Sequence, residues 1–230
     1  MKNKMGFTLA EVLVTLGIIG IVMALTMPVV IGNSREKELV TGLKKTQNTL
    51  TQAVDIASSK HGMLTDWGYV LKDDSCVERI YSYLKPNLSI IKDCGLSSSG
   101  GTGCFASGWK LLNSANDSDI NTYGYGSNLK NFVIADGTVI SIGIYSSSDI
   151  HNKFKISDLS QLLTSESTAV FTVDVNGQKG PNIAGRDIFF FVLVDNGVVP
   201  AGIHNTSDCK SDGKGLTCAA KVLNEGKINY

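Results

Sequence analysis

The sequence predicts an α+β fold. One long N-terminal helix, transmembrane in its first half and amphipathic in its second, packs on a C-terminal antiparallel β-sheet. Three observations predict it. Residues 12–31 read VLVTLGIIGIVMALTMPVVI, twenty residues without a charge, with Thr15 and Thr26 as the polar side chains. Downstream, Leu39, Leu43, Leu50, Val54 and Ala57 recur at helical spacings, while SREKE, KK and Gln residues fall on other faces. Near the C-terminal half, apolar runs are interrupted by Asp136-Gly137 and Asn196-Gly197, dipeptides typical of tight hairpins.

The apolar run comes first. As a helix it spans about 30 Å, the thickness of a bilayer's hydrocarbon core. It is too long for the core of a secretory signal peptide, and MPVVIGNSRE offers no A-x-A cleavage site behind it. The amphipathic continuation is expected to reach about Lys60 and to stop at His61-Gly62. Its stripe is expected to pack on the chain's own sheet rather than form a coiled-coil seam. Ser75-Cys76-Val77-Glu78 has capping-box spacing and predicts a short helix that ends before Lys85-Pro86. From Asp93 to Asn131 the Gly, Ser and Asn content predicts long loops pinned by cysteines. NFVIA and TVISIGIY around Asp136-Gly137, then TAVFTVDV, then DIFFFVLV and VVPAGI around Asn196-Gly197, predict about five antiparallel strands. The expected organisation is therefore a leader at 1–6, a transmembrane helix at 7–32, its amphipathic continuation at 33–62, and a head domain at 63–230.

Charge and cysteines narrow the function. The 230 residues carry 21 basic and 21 acidic side chains; without Lys2 and Lys4 there are 19 basic against 21 acidic, a net charge of −2. No basic stripe stands out, which argues against nucleic acid as the main ligand. Lys2 and Lys4 precede the apolar run, and Arg35-Glu36-Lys37-Glu38 follows it, so the short basic leader is expected inside and the large domain outside. Cys94 and Cys104 bracket GLSSSGGTG, and Cys209 and Cys218 bracket KSDGKGLT. Both spacings suit small disulfide-closed loops of an oxidising compartment, each adding about 2–3 kcal/mol by constraining the unfolded chain. Cys76 is left over, either as a buried thiol or as an alternative partner for Cys94 or Cys104.

Little in the head domain reads as chemistry. Asp174, Asn176 and Asp187 offer hard oxygen ligands, and Asp-x-Asn-Gly matches the start of a calcium loop. The rest of that pattern fails, since Lys179 intrudes and no glutamate closes the loop. The plainer reading is a turn in which Asn176-Gly177 and Gly180-Pro181 supply the geometry and Asp187 caps or pairs with Lys179. His61, His151 and His204 fall in unrelated contexts and read as surface residues. H-E-x-x-H, G-x-S-x-G and P-loop patterns are absent. The expectation is no enzyme and no cofactor, with calcium at Asp174, Asn176 and Asp187 as the one candidate ligand.

The N-terminus is more specific. A carboxylate at the edge of a membrane helix is a functional residue by default, and Glu11 stands there. The basic leader, Gly6, then Phe7-Thr8-Leu9-Ala10-Glu11 and a continuous apolar helix together resemble the class III signal of type IV pilins and type II secretion pseudopilins. Ala10 departs mildly from the bulkier aliphatic common before the glutamate, and the resemblance covers only the leader and the apolar run. It implies a pilin-like fold, with cleavage between Gly6 and Phe7 and methylation of the Phe7 amine by a prepilin peptidase. It also places Pro28 where many members have a helix-loosening proline, so kinking or local melting is expected there.

Physical chemistry gives those residues roles. An ammonium at Phe7 of one subunit can neutralise Glu11 of a neighbour, which disfavours slipped registers. Gly17 and Gly20 let neighbouring helices approach. The expected function is a structural subunit of a type IV pilus-like or type II secretion pseudopilus filament. The resemblance implies like subunits, the prepilin peptidase and an inner-membrane assembly platform as partners, with membrane lipid around the helix before assembly. Localisation would be single-pass in the cytoplasmic membrane, then in a filament in the periplasm or at the cell surface. Two other readings stay open, a competence-type DNA-uptake pilin and a membrane-tethered binding module that never polymerises.

Overall fold

The computed structural model describes residues 8–97, 103–106, 109–114, 128–156 and 166–230, without the side chains of residues 28, 29 and 33. The chain divides into two compact units, residues 1–38 and 39–230. Helix α1 (Leu9–His61) is 53 residues long. Within the second unit it buries Leu39, Val40, Leu43, Leu50, Ala53, Val54 and Ala57, the stripe its periodicity predicts. Thr46 interrupts that stripe harmlessly: its hydroxyl donates to the Gly42 carbonyl at 2.9 Å, so its own hydroxyl is not stranded in the core. The helix stops before Gly62, whose φ of +89° turns the chain out of helical geometry.

Helix α2 (Asp74–Leu84) is capped by Asp73, whose carboxylate accepts from the Ser75 N–H at 2.8 Å. The expected cap at Ser75 is thus two residues late. Ser-x-x-Glu spacing occurs here within a run of competent cap residues, and Asp73 takes the role first. Its apolar face, Cys76, Val77, Ile80 and Leu84, joins the α1 stripe in one core.

That core rests on a six-stranded antiparallel meander in the order β1-β2-β3-β4-β5-β6. The strands are β1 (Ile90–Leu96), β2 (Lys130–Ile134), β3 (Val139–Ser146), β4 (Ser167–Asp174), β5 (Ile188–Val194) and β6 (Gly197–Pro200). Both expected hairpins form. The first turns at Asp136-Gly137, with the Thr138 N–H donating to the Asp136 carboxylate at 3.0 Å. The second turns at Asp195-Asn196 between the paired Val194 and Gly197. Strand β1 corrects the expectation of loops from Asp93 onward. It is an edge strand with register shifts after Ile90 and after Asp93, and it leaves Ile91, Lys92 and Asp93 exposed. Bulges and exposure erase the alternation by which a strand is recognised.

The sheet is covered on both faces. Ala169, Phe171, Val173, Phe189, Phe191 and Leu193 belong to the core with α1 and α2. Val170, Ile188, Phe190, Val192 and Val194 belong to a second cluster with Trp109, Leu111, Phe154, Leu216 and Ile150 of α3 (Ser147–Asn152). Strand β5 is buried at every position, which is why it reads IFFFVLV without alternation. Helix α4 (Cys218–Glu225) adds Cys218, Ala219 and Val222 to the first face. Disulfides join Cys94 to Cys104 and Cys209 to Cys218. Cys76 is a buried thiol that donates to the Gly68 carbonyl at 2.8 Å and accepts from the Val70 N–H at 3.4 Å.

Candidate processing and assembly site

Gly6 and Phe7, the expected cleavage pair, lie outside the described residues. From Thr8 onward the local geometry is defined. The Thr8 hydroxyl accepts from the Glu11 N–H at 3.3 Å. The Glu11 carboxylate in turn accepts from the Thr8 N–H and the Thr8 hydroxyl, both at 2.8 Å. This reciprocal pair is a capping box: it satisfies N–H groups at the open end of α1 and holds the carboxylate in one orientation. Reading Glu11 only as a partner for a neighbour's amine missed Thr8. The signal was present, since Thr-x-x-Glu in front of an apolar run is the motif of a helix start.

Beyond the cap, the large apolar side chains described between Leu9 and Ile31 are exposed, from 45% at Val12 to 81% at Leu9. A contiguous apolar surface of this extent marks a membrane or protein contact. By length and composition the helix can cross a membrane, with a mean hydropathy of 2.5 in its most apolar window. The Thr15 and Thr26 hydroxyls donate to the Val12 and Val22 carbonyls, each at 2.9 Å, so neither presents an unsatisfied group to lipid. Gly17 and Gly20 leave open space where a Cβ would stand. The helix runs unbroken through residue 28.

The other candidate residues meet at the β4–β5 connection. Asp174 ends β4, and the Val175 N–H donates to the Asp187 carbonyl at 2.9 Å just before β5. The Asp187 side chain accepts from the Asn182 N–H at 2.7 Å and the Ile183 N–H at 2.6 Å. One oxygen of Asp174 accepts from the Asn176 N–H at 3.2 Å. Its other oxygen has no partner, and neither does the side-chain oxygen of Asn176 or of Asn182. Burial, then the charge of Asp187, pushes Asp174 up to about 8, and burial raises Asp187 as well.

The structure therefore brings Asp174, Asn176 and Asp187 together and adds Asn182, which the sequence pattern did not single out. Asp187 caps the turn, as the plainer reading expects, while Lys179 is exposed and forms no ion pair with it among the described residues. His61 stacks on Tyr83 with ring centroids 4.0 Å apart, and His151 and His204 are exposed in other elements. Among the described residues no group of three or more His, Cys, Asp or Glu side chains could hold a metal.

Residues 1–27 match the family model of the prokaryotic N-terminal methylation motif. That motif is the signal of type IV pilins and pseudopilins, and it marks a precursor that prepilin peptidase processes. With it, the apolar helix fits a membrane-anchored, single-pass protein. No curated protein and no solved structure matches the chain.

Proposed function

We propose that this chain is the precursor of a filament subunit of the type IV pilin or pseudopilin kind, cut between Gly6 and Phe7, methylated at Phe7 and polymerised through α1. The observation that carries this reading is the coincidence of two features. The methylation motif covers residues 1–27, and in the helix behind it the large apolar side chains described from Leu9 to Ile31 are exposed. Cleavage creates an ammonium at Phe7, and methylating an amine retains the positive charge. A neighbour's Glu11, already oriented by Thr8, supplies the opposite charge in a medium where both are costly alone. The pair forms only in one register.

Leaving lipid for a helix bundle exchanges one apolar environment for another. Area burial therefore contributes little to assembly, and close packing at Gly17, Gly20 and their neighbours carries the selectivity. Two disulfide-closed loops suit a head domain held in an oxidising compartment, with the basic leader on the cytoplasmic side. The partners are like subunits, the prepilin peptidase and an inner-membrane assembly platform.

Glu11→Gln tests the reading in the native cell. Glutamine can still close the capping box with Thr8, so the helix start is retained while the charge is lost. The expected result is a chain that stays in the membrane and disappears from the sheared or crosslinked filament fraction. Incorporation at the unsubstituted level in both Glu11→Gln and Glu11→Ala would overturn the charge pair, and a chain absent from the filament fraction even when unsubstituted would be a tether for its head domain.

A further inference from the structure

We infer that Asn196 is a site of spontaneous covalent modification, where the side-chain amide loses ammonia and becomes aspartate or isoaspartate, while the fold protects Asn176. The inference stands whether or not the chain polymerises. The sequence holds two Asn-Gly pairs, at 176–177 and 196–197. In such a pair the glycine nitrogen has no adjacent side chain to hinder its attack on the asparagine amide. Exposure separates the two. Asn196 sits with Asp195 in the two-residue turn between the paired Val194 and Gly197, and both turn residues are exposed. Its side chain makes no hydrogen bond among the described residues. It borders an open groove of about 570 Å³, lined also by Asp55, Ser58, Thr65 and Asp195, which brings water to the amide. Gly197 closes the turn against Val194, so the attack waits only on the opening of that rung, at the end of a four-residue edge strand.

Asn176 is denied the same steps. Its amide nitrogen donates to the Gly180 carbonyl at 3.3 Å, and its side-chain oxygen is buried. The Gly177 N–H, the would-be nucleophile, donates to the carboxylate of Asp174, which is fully buried. Stripping a proton from that nitrogen would leave a charge in a site with little water to solvate it. Space differs as well. A Cβ on Gly177 would stand 2.7 Å from the Gly137 carbonyl oxygen, whereas one on Gly197 would meet nothing within 4 Å. Only the backbone at 197 has room to bend into a ring.

The chemistry balances with water alone. Hydroxide removes the Gly197 amide proton, and the nitrogen attacks Asn196 Cγ. The new N–Cγ bond closes a succinimide ring, the Cγ–Nδ2 bond breaks, and the side-chain nitrogen leaves as ammonia after taking a proton from water. Water then opens the ring at either carbonyl. Opening at Cγ restores the ordinary main chain and leaves aspartate. Opening at the main-chain carbonyl gives isoaspartate, with the main chain now routed through Cβ and Cγ. In sum an amide and water become a carboxylate and ammonium, without redox change. The product sets a negative charge beside Asp195, on the groove that holds Asp55. Isoaspartate also lengthens the turn that sets the register of Leu193 with Val198, Val192 with Val199 and Phe191 with Pro200, so β6 loosens. The reaction does not reverse in water, so the modified fraction grows with the age of the chain.

The test incubates the full chain in detergent micelles at mildly alkaline pH in heavy-oxygen water, with peptide mapping over several weeks. Heavy oxygen marks carboxylates formed during the incubation and sets them apart from any present at the start. The expected result is labelled aspartate and isoaspartate at residue 196, formed at least about tenfold faster than at residue 176 in the folded chain. In urea the two rates should converge. Hydrogen exchange at Val198 and Val199 should rise in the aged chain but not in aged Asn196→Gln, whose longer side chain closes a ring far more slowly. Equal rates at the two asparagines in the folded chain, or conversion of Asn196 only after unfolding in urea, would overturn the site. Labelled product at residue 196 with unchanged exchange in β6 would overturn the loosening of the strand.

Discussion

Asp174 sets a pH signature that can be measured without any ligand. Burial and the charge of Asp187 raise it from 3.8 to about 8, so over that interval the folded chain keeps a proton the unfolded chain has lost. Its contribution is therefore full below about 3.8 and is lost as pH rises through about 8. The unfolding midpoint should fall across this window, and Asp174→Asn should flatten the decline. Asp93 acts in the opposite sense. Burial works to raise it, but bonds from the Gly95 N–H, Lys130 and Tyr81 outweigh burial and hold it below the usual carboxylate range. Its stabilisation is present above the unfolded value and is lost as pH falls through the folded one. A third residue-level outcome concerns Gly177, with φ at +68° and a backbone oxygen 2.7 Å from where its Cβ would be. Gly177→Ala should destabilise by about 2–3 kcal/mol in urea unfolding. A change near zero would mean that the turn relaxes.

At the scale of elements, α1 does two jobs with one helix, and a single kind of substitution separates them. Leu43 is fully buried in the head core, whereas Leu16 is 60% exposed. Leu43→Ala should lower the head domain's unfolding free energy by about 3 kcal/mol. Leu16→Ala should leave that value unchanged and reduce filament yield. Equal effects of the two on head stability would contradict the division. The same helix shows what a sequence displays and what it hides. Its apolar run, its stripe and its stop at Gly62 were legible because each is written in residues of one type at one period. The hairpin at Asp136-Gly137 was legible because turn geometry demands those residues; the second, expected at Asn196-Gly197, turns one residue earlier at Asp195-Asn196. Strand β1 was not, because an exposed edge with bulges needs no alternation. Helices α3 and α4 were not, because at six and eight residues they are held by packing rather than by their own periodicity. In the candidate site, Glu11 was legible from its apolar surroundings and Asp174, Asn176 and Asp187 from their spacing. Asn182 was not, since its N–H reaches the Asp187 carboxylate only once the β4–β5 connection has folded.

For the whole molecule, processing at the N-terminus is what separates a filament subunit from a tethered domain. The head domain, with its two-sided sheet and two disulfides, is the same in either case. Without cleavage there is no ammonium at Phe7, and Glu11 has only the cap it shares with Thr8. In the filament proposed above, cleavage would make the same carboxylate half of an intersubunit pair. The most direct measurement is the intact mass and N-terminal peptide of the protein isolated from its native cell envelope. The account predicts a chain that begins at Phe7 and carries one added methyl group. A chain still beginning at Met1, in cells with an active prepilin peptidase, would contradict it.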